Sequence, residues 1–144
     1  MKRFIPLLTA LGLGLALTTA AQITYPDNFT DEIFGQGWNL PVGITFDHNG
    51  QAYVWEKGGQ VHLVDTLGNR LPEPLVDISE EVCTWSDHGL LGFALHPEFL
   101  ENGYFYLLYV VDRHHLLYFG TPDYDPATTI DEGATIGRIT RYTA

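Results

Sequence analysis

The sequence has a single cysteine, Cys83, among 144 residues, so it forms no intramolecular disulfide and no multi-cysteine zinc or iron site. Basic residues are scarce as well: 7 Lys and Arg stand against 18 Asp and Glu, a formal net charge of −11. Such a balance disfavours nucleic acid and anionic membrane surfaces as partners and leaves neutral substrates and bound cations open. The acidic residues are spread without long runs, which reads first as a solvated surface. No stretch matches His-Glu-x-x-His, Gly-x-Ser-x-Gly or a phosphate-binding loop, so the commonest local signatures of metalloproteases, hydrolases and nucleotide enzymes are missing. Long apolar runs are also missing: Phe4 to Leu17 is too short and too rich in glycine for a membrane span.

What the first residues do carry is a basic start, Met1-Lys-Arg, an apolar middle and small residues at Ala20-Ala21. Residues 1–21 therefore read as a secretory signal, with cleavage near Ala20 or Ala21 and an uncleaved anchor as the alternative. Loss of Lys2 and Arg3 leaves 5 − 18 = −13. An exported chain without a disulfide must be held together by packing. Residues 22–38, with Tyr25-Pro-Asp-Asn, Phe29 and Phe34-Gly-Gln-Gly-Trp, show neither helical nor alternating periodicity and read as an extended lead-in with its aromatics tucked against the domain.

From residue 39 the pattern becomes β. Val42 to Asp47 and Ala52 to Lys57 flank the Asn49-Gly50 turn signal; Gly58-Gly59 leads into Gln60 to Asp65; Glu73 to Ser79 reads as a fourth strand, placed at an edge by Pro74. The unit then repeats weakly. Gly43-Ile-Thr-Phe-Asp-His corresponds to Gly92-Phe-Ala-Leu-His-Pro, a separation of 92 − 43 = 49, and Asn49-Gly to Asn102-Gly, a separation of 102 − 49 = 53. These spacings approach the length of one propeller blade. Gly59-Gln-Val-His-Leu-Val and Gly137-Arg-Ile-Thr-Arg-Tyr are 137 − 59 = 78 apart, so the second unit holds an insertion over about 112–135. The fold class is all-β, a partial propeller of about two blades. A propeller closes with four to eight, so residues 39–144 are expected to be the incomplete N-terminal part of a larger domain, with apolar blade faces and strand edges left open.

The polar stretch Trp85-Ser-Asp-His-Gly89 leads into the apolar run Phe93 to Leu95. Loops entering the innermost strand of a blade lie at an end of the central channel, which makes Asp87 and His88 candidate substrate contacts. His96, past the strand, lies toward the opposite end and reads as structural. His114-His115 are poor joint ligands, because neighbours on a strand or loop point apart. Asp123 and Asp125 have a spacing compatible with calcium, but the full calcium-loop pattern is missing and Pro-Asp-Tyr-Asp-Pro reads as a turn. No metal ligand is assigned in this chain. The insertion, with Tyr118, Phe119 and Tyr124, is either a cover for a ligand or a loop packed on its own blade.

Gly89-Leu-Leu-Gly-Phe-Ala-Leu-His-Pro-Glu-Phe99, Asn102-Gly-Tyr-Phe-Tyr-Leu-Leu-Tyr109 and Arg138-Ile-Thr-Arg-Tyr142, with Leu40-Pro-Val-Gly-Ile-Thr-Phe and Trp55-Glu-Lys-Gly-Gly-Gln-Val-His-Leu-Val-Asp65 before them, resemble the glucose/sorbosone dehydrogenase family. The resemblance implies a six-bladed propeller in a secreted or periplasmic quinoprotein that oxidises a sugar hydroxyl by hydride transfer to pyrroloquinoline quinone (PQQ), with calcium holding and polarising the quinone. It implies a histidine general base in a motif that would fall beyond Ala144, as would the cofactor and calcium ligands, so this chain is expected to contain no catalytic or cofactor-binding residue and to be inactive alone. Where glucose-oxidising members carry a sugar-contacting glutamine, this sequence has Asp87, shorter and charged. The expected partners of the full-length protein are a sugar and an electron acceptor. The alternative is a non-enzymatic exported propeller that binds carbohydrate or protein.

Overall fold

The computed structural model describes residues 24–144, so the expected export signal lies outside the described residues. They fall into two units that part after Glu32. In the first, residues 24–32 hold one turn, closed by the Phe29 amide donating to the Pro26 carbonyl at 3.1 Å. Among the described residues, no helix is long and apolar enough to cross a membrane.

The second unit, Ile33–Ala144, contains two antiparallel sheets. The first is a four-stranded meander of β1 (Pro41–Phe46), β2 (Ala52–Glu56), β3 (Gln60–Val64) and β4 (Arg70–Asp77) in sequence order. Its β1–β2 hairpin turns at Asn49-Gly50, where the Asp47 carboxylate accepts from the Asn49 and Gln51 amides at 2.8 and 3.0 Å. The outer strand runs three residues further toward the N-terminus than the Glu73 to Ser79 expected from sequence. Asp65 is the cause: its carboxylate accepts from the Leu67 and Asn69 amides, closing a turn so tight that Arg70 already pairs with Val64. Bulges on either side of His62 then accommodate Pro74 on the edge strand.

The second sheet is β5 (Leu90–Leu95), β6 (Tyr104–Val110) and β7 (Gly137–Thr143), in that order. It repeats the first in detail. A bulge lies between Pro41 and Gly43 in β1 and between Leu90 and Gly92 in β5, so the two corresponding glycines occupy the same irregularity. The difference between the two repeat spacings, 53 − 49 = 4, is the four-residue helix α1 (Phe99–Asn102), which replaces a plain hairpin turn and ends at Gly103 in the left-handed conformation. The insertion also differs from a loop: it opens with α2 (Arg113–Tyr118), whose N-cap Asp112 accepts from the His114 and His115 amides.

The two sheets pack face to face through Tyr53 and Val61 from the first and Phe93, Phe105 and Leu107 from the second. Phe93 lies at the centre, stacked on Tyr53 with ring centroids 5.6 Å apart and tilted against Phe105 at 5.6 Å and Trp55 at 5.8 Å. Of the apolar run Phe93 to Leu95, Phe93 is buried while Ala94 is exposed, because alternate residues of β5 face away from the first sheet. On that outward face Leu108 and Ile139 are 43% and 72% exposed. A second cluster, Ala52, Val54 and Val64, lies on the other side of the first sheet under Trp38.

Antiparallel pairing places the end of β2, the starts of β3 and β5, the end of β6 and the start of β7 at one rim, and the Leu90 amide joins the two sheets there by donating to the Lys57 carbonyl at 2.9 Å. The loop 85–89 and the insertion therefore share this rim. The turns at 47–51 and 96–103 occupy the opposite end.

Candidate functional site

Loop 85–89 is held in one shape by its neighbours. The His88 amide donates to the Trp85 carbonyl at 2.9 Å, and Lys57 Nζ donates to the Ser86 carbonyl at 2.5 Å. Ser86 has a φ of 50°, uncommon for a residue with a side chain, and the lysine sits on its carbonyl. At Gly89 a Cβ would lie 2.7 Å from Lys57 Cγ and 3.0 Å from the Lys57 carbonyl, with φ at 152°. Glycine is needed here for close approach.

This frame presents Asp87 and His88 differently. Asp87 is exposed, and its carboxylate has no hydrogen-bond or ion-pair partner among the described residues. It is free to accept from a ligand hydroxyl. His88 is half-buried, its Nδ1 3.3 Å from Cys83 Sγ and its ring edge-on to Trp85 at 5.6 Å. Two neighbours thus fix the imidazole plane.

Beside the loop, the insertion is anchored to the segment between the sheets. The Asp112 amide donates to the Glu81 carbonyl at 2.8 Å, the Cys83 amide to the Val110 carbonyl at 2.9 Å, and Val82 bridges Val111. Glu81 is the hub. It faces His115 Nε2 at 3.3 Å and Arg138 at 3.6 Å, and it accepts a hydrogen bond from the buried Tyr109 hydroxyl. His115 Nδ1 lies 3.0 Å from the Tyr124 hydroxyl, which donates to Glu80 at 2.6 Å. Desolvation first, then the Glu80 carboxylate, pushes the Tyr124 phenol up to about 12, so it stays a donor.

His114 and His115 are both buried on one helix, as the sequence did not indicate. They are nonetheless separated in role: His114 stacks on Tyr124 at 5.5 Å and accepts from the Asp125 amide, while Phe119 stacks on His115 at 4.4 Å. Asp125 serves a turn, accepting from the Ala127 amide and the Thr128 hydroxyl, which together hold its carboxyl below the usual range. Tyr118 and Tyr124 therefore pack within the insertion, while Phe119, 64% exposed, keeps one face toward solvent.

A cavity of about 500 Å³ is at the other end, lined by Asp47, His48, His96, Glu98 and Phe99 among others. Two of its polar side chains, Asp47 and His96, are engaged in local structure. Asp47 caps its turn and accepts from the Tyr53 hydroxyl at 3.1 Å, and His96 Nδ1 accepts from the Glu98 amide and meets the Asn102 amide group. The His96 ring is thus held in place by its own turn.

Comparison with known proteins agrees with this arrangement. Residues 38–121 match the family model described as Glucose / Sorbosone dehydrogenase, a stretch from Trp38 through both inner strands and the rim loop into the insertion. The human Hedgehog-interacting protein is 30% identical over 83 residues, which are 54% of this chain and 12% of that protein. Among solved structures, an oxidoreductase (glucose dehydrogenase) of Thermus thermophilus superposes with a TM-score of 0.51 at 20% identity, covering 74% of this chain and 25% of that one. The PQQ-bound form of aldose sugar dehydrogenase from Streptomyces coelicolor gives a TM-score of 0.48 at 20% identity, over 74% of this chain and 31% of that one. The chain spans at most about a third of the length of each of these three proteins. Two repeated antiparallel sheets, a glycine-framed loop on their common rim and a family match over residues 38–121 lead to one conclusion: the chain belongs to the glucose/sorbosone dehydrogenase family.

Proposed function

We propose that this chain is the N-terminal part of an exported, secreted or periplasmic, sugar dehydrogenase that oxidises an aldose- or sorbosone-type hydroxyl, and that Asp87 and His88 contact the sugar. The observation that carries the reading is the rim loop. Inside the family-matched region, it holds an unpartnered exposed carboxylate beside an oriented imidazole on a backbone fixed by Lys57.

Oxidation of a carbinol needs a group that takes the hydroxyl proton and an acceptor for the hydride. Asp87 suits neither task as well as it suits hydrogen bonding: an exposed carboxylate accepts from two adjacent sugar hydroxyls and so selects and orients the substrate. As an acceptor only, it favours a different hydroxyl pattern from the glutamine of glucose-oxidising members, which also donates. His88 has Nδ1 engaged at Cys83, leaving Nε2 to meet a sugar oxygen. It is a contact residue and not the general base, which belongs to a part of the protein beyond this chain.

PQQ, when bound, supplies the hydride acceptor. The residues on this rim do not fit the cofactor itself. Its three carboxylates call for free cations, whereas Lys57 is committed to the Ser86 carbonyl and Arg138 to Glu81. Calcium likewise finds no all-oxygen cage on this loop. Both groups are assigned to later blades, with the electron acceptor as a second partner.

A second reading is a non-enzymatic exported propeller that binds protein or carbohydrate through the same rim. The match to Hedgehog-interacting protein, named for an interaction and not a reaction, is the observation that favours it. Dye reduction by the full-length product, with aldoses and with PQQ and calcium added or withheld, separates the two. Turnover that needs both additions supports the dehydrogenase; none in any combination supports the binding module. The 144-residue chain alone is expected to turn over nothing.

A further inference from the structure

We infer that Cys83, His88, Asp112 and Asp131 form a binding site for one transition-metal cation of the zinc class. Cys83 Sγ and one carboxylate oxygen each from Asp112 and Asp131 lie within 4.8 Å of one another. His88 adds Nδ1 at 3.3 Å from the same sulfur. The donors come from separate segments: the loop into β5, the N-cap of α2, and the returning limb of the insertion. Their backbones are tied together by the Cys83 amide on Val110, the Asp112 amide on Glu81 and the Val111 amide on Ile136.

Charge gives the independent reason. Asp112 is 1% exposed, yet no Lys, Arg or His nitrogen among the described residues pairs with it or with Asp131. The amides of His114, His115 and Ile130 solvate its carboxylate but bring no net positive charge. Arg113, next in sequence, turns away to the Ala134 carbonyl. The three amides hold the Asp112 charge, but the Asp131 carboxylate drawn against it adds like charge that a bound cation would relieve.

The donor set selects the cation. A thiol and an imidazole beside two carboxylates suit zinc or cobalt; calcium and magnesium take oxygen alone. Tetrahedral zinc sets its ligands about 3.6 Å apart, so Cys83, Asp112 and Asp131 draw in by up to about 1 Å on loading, with His88 following the sulfur it already touches. That closure joins the limb carrying Asp131 to the loop carrying Asp87 and His88. The metal is structural for the rim, and its binding does not depend on the dehydrogenase reading.

The test uses the 144-residue chain stripped with chelator and titrated with Co²⁺, then with Zn²⁺ in competition, followed by absorbance and calorimetry. One equivalent of Co²⁺ is expected to bind with a thiolate charge-transfer band that Zn²⁺ abolishes. Cys83→Ser is expected to lose the band. Asp131→Ala, a change at an exposed position that leaves the fold intact by circular dichroism, is expected to weaken Zn²⁺ binding at least tenfold, while Asp123→Ala leaves it unchanged. Absence of the band in the unmodified chain, or unaltered Zn²⁺ affinity in Asp131→Ala, overturns the assignment.

Discussion

Replacing Phe93 by alanine tests whether the two sheets share one core. The side chain is 9% exposed and touches three rings, Tyr53, Trp55 and Phe105, from both sheets. Removing a buried phenylalanine costs about 3–5 kcal/mol through lost transfer energy and the cavity left behind. The lost ring pairs belong to the upper half of that range, since each is worth about 0.5–1.5 kcal/mol beyond its area. Domains of this size are stable by only about 5–15 kcal/mol, so the variant is expected to lose about a quarter or more of its stability. With a urea dependence of about 2 kcal/mol per molar, the midpoint moves down by roughly 2 M. Equilibrium urea unfolding followed by tryptophan fluorescence reads it, with Phe119→Ala as the control because Phe119 is 64% exposed. A midpoint shift for Phe93→Ala no larger than the control's would refute the shared core.

Other consequences are equally specific. Gly43→Ala places a methyl inside the Trp55 ring position; overpacking of this kind costs about 1–3 kcal/mol and is read by the same unfolding curve and a changed Trp55 emission. Tyr124→Phe removes the hydroxyl shared by Glu80 and His115, at a cost of about 1 kcal/mol, and is expected to speed amide exchange in 112–135 while leaving β2 and β6 protected. Burial, with Arg70 adding to it, lowers the His62 pKa below its ordinary 6.5. The folded state then binds fewer protons than the unfolded one just below that value, so stability falls as pH drops below about 6.5, and His62→Gln is expected to flatten that limb. Asp77, held below 3.8 by Gln60 and Ser79 against the opposing effect of its burial, adds a separate loss at lower pH.

Much of the architecture was legible because it is written locally. The alternation of β2 and β3, the Asn49-Gly50 turn and the paired glycines Gly43 and Gly92 give strands, hairpin and repeat without tertiary information. The misses have the opposite origin. Arg113–Tyr118 is six residues and too short to show a helical period; it is helical because Asp112 caps it. Arg70 joins β4 because Asp65 closes a turn, a side-chain effect that propensity does not carry. The rim was legible in part. Asp87 and His88 could be named from their place before a repeat strand, but Lys57 is 29 residues before Ser86 and Glu81 28 before Tyr109, pairs that only sheet packing brings together. The cluster of Cys83, Asp112 and Asp131 has no local spacing to reveal it.

The most direct test of the central claim is sugar oxidation by the full-length product with Asp87 intact and with Asp87→Ala, measured with PQQ and calcium over a range of aldose concentrations. The account expects cofactor-dependent turnover in the unmodified protein. In the variant, KM should rise about tenfold with kcat changed much less, the pattern of a lost binding contact. A protein that oxidises no aldose or sorbosone-type sugar, or one whose KM is indifferent to Asp87, contradicts it.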